Sequence, residues 1–215
     1  MEQERIVPIH NIFHDIGEEK AQALPFFHAF TGCDQVSFLS HVTKISAWKV
    51  WQSFDEITRI FSMLSQHPIL MQVEEARSVF ERFTVLLYSH TSNLMAVNEC
   101  RRALFCQGRS IDNIPPTGEA LKMHTLRSSY IAGHIWGQST VPKQTLPEPN
   151  AWGWKEEDGK FFPYWTTLPE AAAGIRDLVK CSCNLQKGCK GRCKCVQSEL
   201  QCTELCRCKG QCERD

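Results

Sequence analysis

The sequence has no long apolar run, no secretory signal and no excess charge of either sign. No apolar stretch approaches the roughly 20 residues that span a bilayer, so a membrane protein is not expected. The N-terminus, MEQERIVPIHNIFHDIGEEK, is polar, and it lacks the apolar core and small-residue cleavage site of a signal peptide. We therefore expect a protein that is not secreted and that stays in the nucleus or, alternatively, the cytoplasm. Dense cysteines in such reducing compartments are more often metal ligands than disulfides.

Charge is balanced over the whole chain but not along it. The 215 residues include 24 Lys/Arg and 24 Asp/Glu. From Lys180 onward there are eight basic and four acidic residues, a net charge of +4, and residues 1–179 carry the opposite −4. A basic end on an acidic body favours an anionic partner for that end.

Residues 18–107 have the apolar spacing of helices, and a hydrophobic content of 42% is typical of a folded chain. The segment QVEEARSVFERFTVLLYSH predicts one core-facing helix, because its apolar stripe is too short for a coiled coil. The stripe consists of Val73, Ala76, Phe80, Phe83 and Leu87. Capping signals predict one helix start at Ser53, with Glu56 three residues later, and another at Thr117, from which a helix extends to about Trp136.

Some potential metal ligands in this helical part have no partners at metal-site spacing. Cys100 and Cys106 are six residues apart, and we interpret both as buried thiols. His124 and His134 are ten residues apart with no third ligand in register. We interpret them as polar residues of the core or the surface.

The stretch that follows is rich in Pro, Gly and Trp and carries no helix signal. It predicts an extended connection with a short hairpin, because Asp158-Gly159 is a turn pair. Its aromatic residues could stack on bases, but we expect them to pack on the helical core. They are Trp152, Trp154, Phe161, Phe162, Tyr164 and Trp165.

The predicted architecture is mainly α and has three segments. A helical domain occupies residues 1–140, an irregular Pro/Trp-rich connector 141–168, and a helix with a small cysteine module 169–215. Thr167 and Glu170 stand in capping-box spacing at the start of that last helix.

The segment CSCNLQKGCKGRCKCVQSELQCTELCRCKGQC places nine cysteines within 32 residues. They are Cys181, Cys183, Cys189, Cys193, Cys195, Cys202, Cys206, Cys208 and Cys212. Disulfides alone are disfavoured, because nine is odd and cysteines one residue apart cannot easily bridge each other. The segment has almost no apolar residues, so a bound metal is expected to offset the entropy of ordering it.

Zinc suits this segment because it takes four tetrahedral ligands and favours thiolates. Nine is not a multiple of four, but six terminal thiolates and three bridging ones fill twelve ligand positions. Twelve positions correspond to three zinc ions in one shared cluster. Such a cluster carries a charge of −3, which the +4 of the other residues nearly balances.

The spacing C-x-C-x5-C-x3-C-x-C-x6-C-x3-C-x-C-x3-C resembles the CXC domain of tesmin-type proteins. All nine cysteines have counterparts there, and two gaps are one residue longer. The resemblance implies three zinc ions in one thiolate cluster and contact with DNA, often through the minor groove. It also implies that Arg192, which precedes the fourth cysteine as in a male-specific-lethal relative, enters that groove. Lys187, Lys190 and Lys194 are then expected to contact phosphates.

A second stretch, FHAFTGCDQVSFLSHVTKISAWKVW at 27–51, resembles the segment of flap endonucleases that joins a metal-binding Asp to a DNA-binding hairpin. Asp34 takes the place of that Asp, and Ala47 lies in register. His41 and Thr43 stand where that family has two glycines that hold the DNA backbone. Two-metal hydrolysis needs several further carboxylates, which the preceding 33 residues are not expected to supply. Asp34 is therefore a weak catalytic candidate with an expected turn or cap role, and the helical domain is interpreted as a truncated nuclease-like remnant.

These observations predict a non-catalytic, zinc-dependent protein that associates with DNA or chromatin proteins and has no membrane or small-molecule partner. Two alternatives stay open. One is a surviving metal-dependent, structure-specific nuclease. The other is a protein-interaction module that zinc only staples and whose tryptophan-rich segment docks a partner.

Overall fold

The computed structural model describes residues 7–165, 180–183, 189–190, 193–197 and 200–211. These residues are mainly helical, with one two-stranded sheet, which confirms the predicted fold class. The chain forms two compact units: residues 1–101 with 111–166, and residues 102–110 with 167–215. The Pro/Trp-rich stretch therefore belongs almost entirely to the first unit, and residues 102–110 belong with the cysteine segment.

The helices of the first unit follow one another through short connections. They are α1 Ile9–Ile16, α2 Glu18–Phe30, α3 Lys44–Ser53, α4 Glu56–Leu64, α5 Leu70–Glu75, α6 Arg77–Tyr88, α7 Val97–Cys106 and α8 Gly118–Ser129. The last turns of α7 belong to the second unit. A π-helical segment, Tyr130–Trp136, continues α8, and short 3-10 turns lie at Ile111–Asn113 and Pro149–Trp152. None of the helices described here has the length and apolar character needed to cross a membrane.

The core of the first unit is a cluster of phenylalanine rings around α2. α2 packs along α4. The ring centroids of Phe26 and Phe61 are 5.1 Å apart, and those of Phe30 and Phe80 are 5.4 Å apart. Such rings bury large apolar areas in offset or tilted contact, so this unit has a hydrophobic core of its own.

The apolar stripe between Val73 and Leu87 faces this core as predicted, because all five of its residues are buried. The prediction of one continuous helix is wrong. The chain breaks at Ala76, which ends α5 and precedes α6. The break leaves the stripe on one side, since each of the two helices keeps its own apolar face inward.

One predicted helix start is confirmed and one is wrong. The Thr117 hydroxyl accepts a hydrogen bond from the Ala120 N–H at 3.2 Å and begins α8. Ser53 instead ends α3, and α4 begins after Asp55. The Ser53 hydroxyl donates to the Val50 carbonyl at 2.9 Å, so it serves the preceding helix.

The isolated histidines and one of the isolated cysteines lie where they were predicted. His124 and Cys100 are buried, and His134 lies half-buried beside Trp152, with ring centroids 4.7 Å apart. The prediction of a buried thiol at Cys106 is wrong, because this residue is exposed. It is the last residue of α7, where the helix has left the first unit's core.

The predicted hairpin is confirmed. β1, Trp154–Glu157, pairs antiparallel with β2, Lys160–Pro163. Asp158 at φ 52° and Gly159 at φ 71° form the two-residue turn. Both have the left-handed backbone that tight hairpins of this kind require, which is why an Asp-Gly pair predicted it.

The expected packing of the aromatic residues on the helical core is wrong for most of them. Trp152 is buried and Trp154 is half-buried. Phe161, Phe162, Tyr164 and Trp165 are exposed. The hairpin is fixed to α8 at its base, where the Arg127 guanidinium donates to the Gly153 and Tyr164 carbonyls at 3.0 Å each, and the strands extend away from that anchor.

Gly133 lies where the π-helical segment closely approaches the chain after α4. An added Cβ would collide with the Pro68 ring and lie 2.5 Å from the Leu64 carbonyl oxygen. We expect Gly133→Ala to lower the free energy of unfolding of the first unit by about 2 kcal/mol or more, because backbone atoms must move. Gly118→Ala is the matched control, since its nearest atoms are 3.5 Å away or further. Urea unfolding followed by tryptophan fluorescence measures both, and equal stabilities would contradict the expected clash.

Candidate metal centre

Tight backbone turns bring distant cysteines of the second unit together. Cys193 immediately precedes the short helix α9, Lys194–Gln197, and its carbonyl accepts the Gln197 N–H at 2.9 Å. The two halves of the segment meet where the Arg207 N–H donates to the Cys181 carbonyl at 3.0 Å. The Cys181 N–H in turn donates to the Cys206 sulfur at 3.4 Å. The repeated C-x-C pairs are thus linked through their backbones.

Cysteine sulfur takes the place of an apolar core in this unit. Six cysteines form one buried cluster: Cys181, Cys189, Cys193, Cys195, Cys206 and Cys208. Cys183, Val196 and Cys202 pack against it and are partly buried. Thiols contribute little apolar area compared with leucine or phenylalanine, so burial alone is a weak source of stability for this unit.

Four sulfurs form the most compact group in the cluster. The Cys181 Sγ lies 3.7 Å from that of Cys189 and 3.8 Å from those of Cys202 and Cys208. The Cys189 Sγ lies 3.9 Å from that of Cys208 and 3.6 Å from that of Cys202. Five of the six distances in this group are therefore nearly equal, and the sixth is within 4.8 Å. All of them are far longer than the disulfide bond of about 2.05 Å.

Two further groups of four sulfurs share members with the first. One contains Cys181, Cys193, Cys195 and Cys202, and the other contains Cys181, Cys183, Cys189 and Cys193. In each group the sulfurs lie within 4.8 Å of one another. Cys206 is in none of these groups, although its sulfur is 3.5 Å from that of Cys195. Metal ions held by these groups would have thiolates in common.

Burial and backbone donors push the thiols toward different protonation states. Burial raises the pKa of Cys195 to about 12 and also raises the pKa of Cys181. For Cys193 burial acts in the same direction, but hydrogen bonds from the Val196 and Cys195 N–H groups and from neighbouring thiols outweigh it and lower the pKa to about 6. The Cys181 N–H similarly helps to lower the pKa of Cys206 to about 7. Adjacent thiolates repel one another, and a bound cation removes that cost.

The cysteine cluster can therefore bind metal. The eleven described cysteines are reduced thiols, and the three groups of four are the candidate metal sites found among the described residues. Eight of the nine predicted ligands lie in this cluster. Cys212 lies outside the described residues, as do the predicted DNA-contacting residues Arg192 and Lys187. Lys190 and Lys194 are both exposed.

Asp34 lies in an exposed turn closed by the Cys33–Val36 bridge, which confirms its predicted turn role. The candidate metal groups of the described residues do not include it. His41, at the first of the two expected glycine positions, has φ 58°, a left-handed conformation that favours glycine. The Thr43 N–H, at the second position, donates to the Ser46 hydroxyl at 3.0 Å. That amide is used in capping α3, so it is not available to a phosphate without breaking the cap.

Residues 102–110 join the cysteine unit without having been predicted to do so. The Lys180 ammonium donates to the Phe105 carbonyl at 2.6 Å and lies 4.6 Å from the centroid of the Phe105 ring. Arg102 and Glu204 form an exposed ion pair at 3.8 Å. The sequence RALFCQGRS has no metal-ligand spacing, and its basic residues are the one signal that could have associated it with the basic end of the chain.

Comparison with known proteins gives no family for this chain. No protein-family model, curated protein or solved structure matches it. The resemblance to CXC domains therefore rests on the spacing of the cysteines, and the capacity to bind metal rests on the geometry of their sulfurs.

Proposed function

We propose that the cysteine cluster binds zinc. Zinc–thiolate bonds are about 2.3 Å long, and tetrahedral geometry then separates the sulfurs by about 3.8 Å. The five measured distances around Cys181, Cys189, Cys202 and Cys208 range from 3.6 to 3.9 Å. This agreement is the observation that carries the proposal, because zinc would fit the group with little rearrangement.

The proposed stoichiometry is three zinc ions in one cluster. The overlap of the three groups of four sulfurs supports the sharing of thiolates, and the number of ions follows from the count of ligand positions. Nine thiolates supply twelve ligand positions if three of them bridge. Iron would also accept four thiolates, so the metal has to be identified directly.

The proposed role of the metal is structural rather than catalytic. A zinc site with four protein ligands has no open position for water or substrate, whereas a catalytic site keeps one. The cluster also occupies the place of a hydrophobic core in its unit. We infer that zinc supplies most of the folding free energy of this unit and that the protein has no enzymatic activity of its own.

We further propose that the zinc-bound unit associates with DNA or chromatin in the nucleus. The segment from Lys180 onward has a net charge of +4 without its thiolates and of about +1 with the −3 of the zinc cluster, and Lys190 and Lys194 are exposed. Basic side chains on a small rigid module attract phosphates in a salt-dependent manner. Arg192 is the proposed minor-groove residue, and Lys187 the third phosphate contact.

Purified full-length protein is expected to contain three zinc ions per chain and to bind duplex DNA only while they are present. Elemental analysis by mass spectrometry counts the metal, and fluorescence anisotropy with a labelled duplex at several salt concentrations measures the affinity. Each phosphate contact should add about 0.9 to the slope of log affinity against log salt. Two zincs would contradict the shared cluster, and iron or oxidised thiols would contradict zinc binding. A zinc-loaded protein with no affinity for DNA would contradict the DNA proposal alone.

One observation favours a second candidate, a zinc-stapled module that binds another protein. Phe161, Phe162, Tyr164 and Trp165 are exposed on and next to the hairpin. Aromatic residues are enriched where proteins bind one another. This candidate is preferred if the zinc-loaded protein shows no salt-dependent affinity for duplex DNA and if replacing Phe161 and Trp165 by serine abolishes binding to a chromatin protein.

A further inference from the structure

The second unit contains an open cleft beside the cysteine cluster that encloses about 690 Å³. Three stretches of the chain line it: the end of α7 with the residues just after it, the first residues of the cysteine segment, and the region from α9 to Arg207. All of them belong to the second unit. A cleft shared by separate stretches forms only when the unit is folded, so ligand binding here would depend on the metal cluster.

The described lining of this cleft is basic and contains no acidic residue. Its cationic side chains are Arg109, Lys180, Lys194 and Arg207. These four cations exceed the −3 charge of the zinc cluster to which the lining residue Cys181 belongs, and a bound anion offsets the excess. The Lys180 ammonium is fixed by its bond to the Phe105 carbonyl. Arg109, Lys194 and Arg207 are exposed around it.

Two kinds of side chain in the lining of the cleft suit different parts of one ligand. Phe105 and Leu205 contribute apolar surface. Arg109 and Arg207 contribute planar guanidinium groups, which can bind two oxygens of one phosphate. Sugars and bases lie well on apolar or aromatic surface while phosphates bind cations. A free inorganic anion would use the cations but not the apolar surface of Phe105 and Leu205.

We propose that this cleft binds the phosphodiester backbone of a nucleic acid strand. The inference rests on the proposed association with DNA and adds a contact surface to it that includes Arg109, a residue outside the cysteine segment. Arg207 and Lys180 are further contacts within the same lining. Phosphate is the recognised chemistry, and a polynucleotide rather than a small phosphate compound is the proposed source.

Arg109→Glu is the decisive variant because Arg109 lies far in sequence from the cysteines of the cluster. We expect it to weaken the binding of the zinc-loaded full chain to a labelled duplex by about tenfold at moderate salt, and to lower the salt slope by about 1. Arg207→Glu should act similarly. Arg59→Glu is the matched control, because Arg59 is exposed in the first unit and the change in net charge is the same. It should alter affinity by less than about twofold, as expected for a distant, screened charge.

Several results would overturn the inference. DNA binding equally affected by Arg109→Glu and Arg59→Glu would mean that only net charge matters. Loss of zinc from Arg109→Glu and Arg207→Glu, without loss of DNA affinity per zinc-loaded chain, would mean that the cations only balance the cluster. Displacement of the duplex by micromolar inorganic pyrophosphate would identify a small-anion site. Binding of an acidic peptide but of no nucleic acid would overturn both this inference and the proposed association with DNA. DNA affinity that is unchanged in Arg109→Glu and Arg207→Glu would overturn the inference alone.

Discussion

Replacing Cys181 by serine is expected to remove more than one metal ion from the protein and to unfold the second unit. Cys181 belongs to all three groups of four sulfurs among the described residues, whereas Cys183 belongs to one. Serine has no thiolate, so every site that includes residue 181 loses a ligand. Structural zinc contributes about 10–16 kcal/mol to small zinc-dependent folds, so losing one ion exceeds the stability of most small domains. Cys183→Ser is expected to cost about one ion and to leave part of the cluster.

Cys106→Ser is the matched control for this series. Cys106 lies in the same unit, is exposed, and is outside the cysteine cluster. It should leave the zinc content unchanged. Elemental analysis gives zinc per chain, and limited trypsin digestion reports on the second unit through its lysines and arginines. A Cys181→Ser protein that keeps three zincs, or that loses no more than the Cys183→Ser protein, would contradict the shared cluster.

The sequence predicted the elements whose cause is local. The Asp158-Gly159 turn and the Thr117 cap depend on a few neighbouring residues, and both are found. The apolar stripe of α5 and α6 is buried because its spacing matches a helix face. The prediction of a helix start at Ser53 was wrong because a serine hydroxyl can bond to the helix before it as well as cap the helix after it.

The wrong predictions concern side chains whose burial depends on where they lie in the fold. The exposure of Phe161 and Trp165 depends on what covers a hairpin, and a two-stranded hairpin can have both faces open. The exposure of Cys106 depends on where α7 leaves the core of the first unit. Composition gives the tendency of each residue to be buried, and it does not specify which neighbours are available to bury it.

The metal centre was predictable in composition but not in arrangement. Spacing identified the cysteines and the count of ligand positions suggested sharing. The structure adds that Cys181 is the most widely shared sulfur and that Cys206 is close to Cys195 while outside the groups of four. It also adds Arg109 and Phe105 to the unit, which no motif linked to the cysteines. Such contacts between distant stretches follow from packing, so the spacing of residues in the sequence does not predict them.

Acidification below about pH 6.5 is expected to destabilise the first unit through His124. Its Nε2–H donates to the Phe30 carbonyl at 2.8 Å, so its Nδ1 accepts from the Ser37 hydroxyl at 2.9 Å. Burial lowers the pKa of His124 from 6.5 to about 4, and nearby Arg127 acts in the same direction. Between these values the unfolded chain binds a proton that the folded chain does not. The contribution of His124 to the free energy of unfolding is therefore complete above pH 6.5, falls by about 1.4 kcal/mol per pH unit below it, and has lost about 3 kcal/mol near pH 4. Burial also lowers the pKa values of His28 and His134 in the same unit, so they steepen the loss of stability in the same direction.

Tryptophan fluorescence isolates this effect, because all six tryptophans lie in the first unit. Urea unfolding at a series of pH values gives the slope for the unaltered chain. His124→Gln should be less stable at pH 7, since an amide cannot keep both hydrogen bonds in the same geometry, and its stability should fall less steeply below pH 6.5. His10→Gln, at an exposed position of α1, should retain the full slope. If the free energy of unfolding of His124→Gln falls with pH as steeply as that of the unaltered chain, the prediction is wrong. Groups other than His124 would then take up the proton that destabilises the folded state.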